Sequence, residues 1–451
     1  MIGKICVFGL GHAGLPTSLS FAELGWTVVG VDYDSEKVKF IESGKSPFYE
    51  PEVDVLLQKH LANGRFVATS EAAEAVASAD VVVICVGTPQ LPDGGADLSF
   101  LRSATATIAR HMTGYTLVVQ KSTVPPGTAS SVVAPILEEC VPQRVQYDLA
   151  VNPEFLREGS AVYDCLHPDR LVFGVDSQRA KEVFMELYGP LLDGDQRVPS
   201  EQVGIVVTNW ATAELIKQAS NAFLATKISF INMLADMCDA SGANVLDLAR
   251  GLGSDPRINH HYLNAGLGFG GQCLPKDLRG LAAYGKGVGV DVNILESVDV
   301  VNTSRVDRIL DRVVSLLGGV EERTIAIWGV AFKPGTDDVA EAPSLNLIPK
   351  LVDLGAVVRV YDPEALGAFQ EASQLSDTGV YACETGLQAA EDADVLLILT
   401  DWYEFIHFDL SLLKTAMKSP VVIDGRNCMN ALEMERHGFM YSGFGLPPVG
   451  I

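Results

Sequence analysis

One stretch, Gly9-Leu-Gly11-His-Ala-Gly14, limits the fold of this chain more than any other. It follows a short apolar run, Lys4-Ile-Cys-Val-Phe8, and opens a segment of helical character that reaches about Gly25. A second apolar run, Thr27-Val-Val-Gly-Val-Asp32, then ends in a carboxylate roughly 20 residues beyond the last glycine. Strand, glycine turn, helix and acid-tipped strand in that order describe a dinucleotide-binding βαβ unit. The glycines allow a tight turn and let a pyrophosphate approach the helix N-terminus. An acid rather than a base at position 32 favours NAD over NADP, because it accepts from the ribose hydroxyls and repels a 2′-phosphate. Gly9, Gly11, His12, Ala13, Gly14 and Asp32 are therefore cofactor-contact candidates.

The pattern repeats along the chain. Further strands read at Val81–Val86, Thr116–Gln120 and Leu149–Val151, ending in Gly87-Thr88-Pro89, Lys121-Ser-Thr123-Val-Pro-Pro-Gly127 and Asn152-Pro153-Glu154. Strands alternating with helices predict a parallel doubly wound sheet, with ligands outside the carboxyl ends of the strands. Thr88, Thr123 and Glu154 stand at those ends. Glu154 and Glu158 are four residues apart, so on a helical turn both carboxylates would point the same way. The competing reading is a solvated helix start whose acids suit the dipole.

From Asn209 to about Ala240 the spacing predicts one long helix stopped by Gly242. Lys217 and Asn221 share a face of it otherwise lined by small residues, although a lysine there also fits a snorkelling role. Near Arg323 a second α/β domain begins. Thr324-Ile-Ala-Ile-Trp328-Gly echoes the first strand, Ala356–Asp362 the second, and Ala393–Leu399 the run at Ala79–Val86. This half has Phe332-Lys-Pro-Gly-Thr-Asp-Asp338 in place of the glycine motif, so it is read as holding a different phosphate-bearing ligand, with Lys333 and Arg426 at its strand ends. The fold class is thus α/β, with two Rossmann-like doubly wound domains joined by a long central helix and helical spine. The divisions fall at 1–205, 206–318 and 319–451.

Gly268-Phe-Gly-Gly-Gln-Cys273-Leu-Pro-Lys276-Asp277 lies between these domains in sequence. A cysteine reacts as its thiolate, which nearby positive charge favours, and an adjacent carboxylate can orient water or take a proton. The bland alternative is a turn with a tucked-in thiol. The net charge of -24 argues against a nucleic-acid partner, whose phosphates need a basic face. None of the eight cysteines forms a CxxC pair, which points to a reducing, cytoplasmic setting. No apolar run approaches a membrane span, no signal peptide is expected, and His260-His261 are not spaced as metal ligands.

Taken together, Gly9–Gly14, Val86-Gly-Thr-Pro89, Lys121–Gly127, Asn152–Gly159, Phe269–Asp277 and Phe332–Asp338 resemble the UDP-glucose/GDP-mannose dehydrogenase family, from the first strand to Arg426. The resemblance implies NAD-dependent four-electron oxidation of a nucleotide-sugar C6 alcohol to a carboxylate. Cys273 would trap the aldehyde as a thiohemiacetal and carry the thioester. Lys217, assisted by Asn221, would stabilise oxyanions. Asp277 and Thr123 would place water or move protons, and Glu158 would help hydrolyse the thioester. Lys37, Thr88, Thr123, Glu158 and Lys276 would join Asp32 on NAD. Glu154, Phe155, Leu156, Arg157 and Glu158, with Lys217 and Asn221, would contact the nucleotide sugar. So would Tyr262, Leu263, Asn264, Ala265, Gly266, Gly270, Lys333 and Arg426, while Arg257 would reach a neighbouring subunit's site in a homodimer built on the central helix.

Lys276 after the thiol resembles the UDP-glucose and GDP-mannose branch rather than the N-acetylated-sugar branches. UDP-glucose leads as substrate, with dTDP-glucose and GDP-mannose as rivals. A two-electron hydroxyacid dehydrogenase would need neither Cys273 nor a second Rossmann-like domain, and a non-catalytic sensor would lack the thiol or the lysine. Two positions depart from the family pattern: Ala340, where an arginine is usual, and Met233 after Asn232, where a glutamate is common.

Overall fold

A computed structural model of the chain describes residues 2–192, 203–373 and 379–450. It forms two compact units, Met1–Ser220 with Ala283–Val288, and Asn221–Ala282 with Gly289–Ile451.

The first unit is built on β1 (Lys4–Phe8), β2 (Thr27–Val31), β3 (Phe66–Thr69), β4 (Val81–Ile84), β5 (Thr116–Gln120), β6 (Tyr147–Val151), β7 (Arg170–Val175) and β8 (Gly204–Thr208). They form one eight-stranded sheet in the order β3-β2-β1-β4-β5-β6-β7-β8. The central strands are almost wholly buried because helices cover both faces. Two buried clusters result, one around Ile5, Val7, Val81 and Leu117, the other around Cys6, Phe8, Val82 and Val118. Alternate residues of each strand go to opposite clusters, as the period of two requires. The sheet is not wholly parallel, which corrects the simple alternation expected from sequence. β7 pairs antiparallel with β6, and β8 follows it in parallel. The last two residues of β7, Gly174 and Val175, therefore lie beside the carboxyl end of β6.

The second unit carries β9 (Thr324–Trp328), β10 (Val357–Tyr361), β11 (Val380–Ala382), β12 (Val395–Ile398), β13 (Val421–Asp424) and β14 (Met440–Gly443). Its order, β11-β10-β9-β12-β13-β14, is parallel throughout and repeats the first six positions of the other sheet. The likeness extends to single bonds. Gly9 N donates to Val31 O at 2.8 Å, and Gly329 N to Tyr361 O at 2.8 Å. The long helix predicted near Asn209–Ala240 is present as Trp210–Ser241. Among the described residues no helix is long and apolar enough to cross a membrane.

Candidate active site

At the glycine turn each glycine has its own physical reason. Gly9 adopts φ +89°, a left-handed backbone that L side chains rarely take. A Cβ on Gly14 would lie 1.7 Å from Gly9 O, so the helix Gly14–Glu23 could not pack there. A Cβ on Gly11 would meet no atom within 4 Å, so nothing in the fold demands glycine at that position. The open position leaves clearance that a pyrophosphate could use. The residues present thus fit a dinucleotide. Asp32 ends β2 with its Oδ2 accepting from Leu10 N at 2.9 Å and Lys37 Nζ at 3.1 Å, and its Oδ1 from Asp34 N at 3.1 Å. The acid thereby braces the turn that it would serve. Ala13 precedes the helix directly, and the His12 ring lies 4.1 Å from that of Phe48. Across the sheet, Thr88 Oγ1 donates to Thr123 O at 2.7 Å, tying together the loops after β4 and β5.

Beyond β6 the chain from Asn152 to Arg157 is irregular, which corrects the helical turn entertained for Glu154 and Glu158. Pro153 disfavours helix at the preceding residue. Glu154 instead turns inward. Its Oε1 is 2.8 Å from Lys217 Nζ, and its Oε2 accepts from Leu156 N at 2.7 Å. Burial pushes the Glu154 carboxyl up, but Lys217, the Leu156 amide and Lys121 together hold it below the ordinary range. Phe155 has the Arg170 guanidinium 3.8 Å from its ring centroid and Lys217 Nζ at 5.7 Å. Arg157 turns away to Asp164, with Nε to Oδ2 at 3.0 Å, while Glu158 begins the turn that leads into the helix Ala161–Leu166. Lys217 is buried on the central helix. One turn before it, Glu214 accepts from Gly127 N at 2.6 Å and Ala129 N at 2.7 Å, which fastens the loop bearing Thr123.

In the second unit Cys273 stands immediately before the helix Leu274–Gly287, and its carbonyl accepts the first-turn bond from Asp277 N at 3.0 Å. A thiol at a helix N-terminus faces unpaired amides and the positive end of the dipole, both of which favour thiolate. Asp277 is buried with both oxygens engaged: Oδ2 accepts from Asn221 Nδ2 at 2.6 Å, and Oδ1 from Lys276 Nζ at 2.8 Å. The structure therefore brings Asn221, Lys276 and Asp277 together one helical turn from the cysteine.

The loop leading to Cys273 has no regular structure, so side chains satisfy its backbone. Asn232 Oδ1 accepts from Gly266 N at 2.8 Å, and Arg305 Nε donates to Gly266 O at 3.0 Å. Asn302 grips Phe269 at both ends, accepting from its N and donating to its O, each at 2.9 Å. Gly268, at φ +87°, leaves room for this, since a Cβ there would meet Asn302 Oδ1 at 2.2 Å. Arg426 donates to Leu399 O at 2.6 Å, Gly268 O at 2.8 Å and Phe332 O at 2.9 Å, joining three loops. Of the other substrate candidates, Leu263, Ala265, Gly266 and Gly270 are buried, Asn264 is exposed, and Tyr262 takes a left-handed backbone at φ 63°. Lys333 Nζ lies 5.4 Å from the Phe332 ring centroid, and exposed Arg257 pairs with Asp255 at 2.7 Å. Ala340 takes part through its backbone alone, its O accepting from Gly271 N at 2.7 Å. Half-buried Met233 has no polar role.

Arg170, Glu214, Asn302 and Arg305 are the residues that sequence reasoning missed. Arg305 carried a signal: with Ile309 and Val313 it falls on the buried stripe of the helix Arg305–Leu317, where a charge requires partners.

Comparison with known proteins accords with this arrangement. Residues 3–192 match the NAD-binding domain of the UDP-glucose/GDP-mannose dehydrogenase family, residues 211–304 its central domain and residues 326–431 its UDP-binding domain. The chain belongs to the UDP-glucose/GDP-mannose dehydrogenase family. The UDP-glucose 6-dehydrogenase TuaD of Bacillus subtilis (strain 168) is 41% identical over 446 residues, 99% of this chain and 94% of that protein. The UDP-glucose 6-dehydrogenase of Rhizobium meliloti (strain 1021) is 42% identical over 448 residues, 98% of this chain and all of the other. Among solved structures, a UDP-glucose dehydrogenase from the hyperthermophilic archaeon Pyrobaculum islandicum superposes with a TM-score of 0.90 at 34% identity, covering 99% of this chain and 98% of that one. For this dehydrogenase-family chain the cofactor is NAD and the substrate a nucleotide sugar.

Proposed function

We propose that this chain oxidises UDP-glucose to UDP-glucuronate in two NAD-dependent steps on one enzyme. The observation that carries the reading is Cys273 at the head of a helix, one turn from an aspartate locked between Asn221 and Lys276. A simple alcohol dehydrogenase has no use for such a thiol. The full-length relatives named as UDP-glucose 6-dehydrogenases supply the sugar and the base.

NAD, held by the glycine turn and Asp32, would supply the hydride acceptor for each oxidation. The chain supplies the rest. Lys217 stabilises negative charge on the sugar oxygen, with Asn221 assisting, as the alcohol proton passes to water held by Asp277 and Thr123. The Cys273 thiolate then adds to the aldehyde carbon, and the carbonyl oxygen becomes the oxyanion of a thiohemiacetal. Loss of the second hydride leaves a thioester on Cys273. Water, positioned by Asp277 and Thr123 with help from Glu158, cleaves it to the carboxylate and returns the thiol. Glu154, buried against Lys217, is a further carboxylate placed for proton movement at this stage. The loop residues from Tyr262 to Gly270, together with Lys333, serve the nucleotide sugar. Arg426 does so chiefly by fixing the loops around it.

We further assign the divisions 1–205, 206–318 and 319–451 as functional domains, the cytosol as the setting, and a homodimer through the central helix with Arg257 reaching the partner's site. Support for the dimer comes from Phe223, Phe230 and Met237, which recur every seven residues on that helix and are all exposed.

The deciding experiment is NADH yield with UDP-glucose, dTDP-glucose and GDP-mannose supplied separately in limiting amount. Two NADH per UDP-glucose is the expected result. Two from another sugar would move the substrate assignment, and one NADH would overturn the thioester route.

A further inference from the structure

Glu50 lies in the irregular segment ahead of the helix Val53–Ala62, yet it is only 6% exposed. A buried carboxylate is costly unless it is paired or hydrogen-bonded. Its two oxygens go to backbone amides more than a hundred residues away: Oε2 accepts from Gly159 N at 2.7 Å, and Oε1 from Ala161 N at 2.8 Å. Ala161 opens the helix Ala161–Leu166, and the side chain of Ser160, at the capping position, makes no cap bond. Glu50 supplies from a distance the acceptor that the local cap does not, and an ionised acceptor makes the stronger bond.

What these bonds hold is the backbone around Glu158. Gly159 follows Glu158 directly and takes φ +79°. On the other side, Arg157 N donates to Asp164 Oδ2 at 2.8 Å. The amides before and after Glu158 are thus each held by a carboxylate, and of the two carboxylates Glu50 is the one brought from another part of the chain. Two residues before it, the Phe48 ring lies 4.1 Å from that of His12 in the glycine turn. The segment Phe48–Glu50 accordingly touches the glycine turn at one end and holds the Glu158 turn at the other.

We propose that Glu50 is a positioning residue for thioester hydrolysis, fixing the backbone at Glu158 so that the Glu158 carboxylate serves the attacking water. The inference rests on the thioester route and on the role given there to Glu158. In that step water adds to the thioester carbon and gives a proton to a carboxylate. The C–O bond forms, the C–S bond breaks, the Cys273 thiolate leaves, and no electrons are exchanged. Glu50, with both oxygens engaged on amides, acts only through Glu158. Its loss should slow hydrolysis and spare both hydride transfers.

The test is rapid-mixing kinetics of Glu50→Gln with UDP-glucose and NAD, with acid-quenched samples read by mass spectrometry. Glutamine keeps the shape but turns a donor toward one of the two amides. Glu50→Gln should release two NADH per chain in a first burst at the natural rate, then turn over up to about 10²-fold more slowly, the scale of a misplaced reacting group. A UDP-glucuronyl thioester on Cys273 should accumulate in the quenched variant. In a Glu158→Gln background the same change should slow hydrolysis little further, because both act through one side chain. Glu50→Asp keeps the charge with a shorter reach and should fall between, and it carries the comparison if the glutamine variant does not fold. Natural turnover in Glu50→Gln would overturn the assignment. Slow turnover with neither burst nor thioester would overturn it too, leaving Glu50 as a fastener of the fold. So would a full further loss in the double variant. One NADH per UDP-glucose from the natural chain would overturn the thioester route itself, whatever Glu50 does.

Discussion

Glu154 and Lys217 are each almost sealed from water, and each is tolerable only because the other is charged. Removing one partner strands the other. Glu154→Gln should therefore cost about 3 kcal/mol, read as a fall in the urea midpoint of the unit that contains it. The sign of the pH effect follows from the depressed carboxyl of Glu154. Its contribution to stability is fully present above the ordinary glutamate range and is lost as pH falls through the lower, folded value. The natural chain should lose stability over that acid window, and Glu154→Gln should lose less across it. Lys217→Ala should slow hydride transfer by about 10²–10³, since it removes a preorganised oxyanion partner. A near-normal single-turnover rate would return Lys217 to a purely structural role. Cys273→Ala should bind UDP-glucose but form no UDP-glucuronate, as judged by product analysis.

Elements place these residues, and here sequence and structure part company. The βαβ unit, the acid at position 32 and the long helix were legible because each depends on local periodicity and on glycine chemistry. Two features were not. The reversal of β7 against β6 depends on which edge a strand finds, a non-local choice with no signature in the run Arg170–Val175. The direction of Glu154 depends on Pro153 and on a lysine far away in sequence, so regular spacing with Glu158 was a poor guide. The support of the cysteine loop was hidden for a similar reason. Asn302 and Arg305 act on Phe269 and Gly266 from two other helices, Asn293–Thr303 and Arg305–Leu317, and only Arg305, on a buried apolar stripe, carried a sign of it. Asn302→Ala should leave two loop backbone groups without their partner, at a cost of about 1–3 kcal/mol. Its effect on catalysis should fall on kcat more than on KM. The pH profile of Cys273 alkylation by iodoacetamide should move as well, which a general loss of stability would not cause.

For the whole molecule, the seven-residue recurrence of Phe223, Phe230 and Met237 leaves an apolar stripe in water along several turns. If that stripe is where two copies meet, Phe230→Glu should convert a dimer to a monomer in light scattering, with little change in the far-ultraviolet dichroism. A variant that stays dimeric would move the interface elsewhere.

The matched sheets of the two units also bear on how such chains diversify. Asp362 occupies in the second sheet the place of Asp32 in the first, at the tip of the second strand. Its Oδ2 accepts from Val330 N at 2.7 Å, Ala331 N at 3.0 Å and Trp402 Nε1 at 3.1 Å, and its Oδ1 from Glu364 N at 3.0 Å and Ala365 N at 2.8 Å. One ancestral module used twice would explain this: in one copy the acid accepts from two backbone amides and a lysine, and in the other an indole joins four backbone amides to make it an internal fastener. A designer seeking to turn the second module into a coenzyme carrier would have to begin by evicting Trp402.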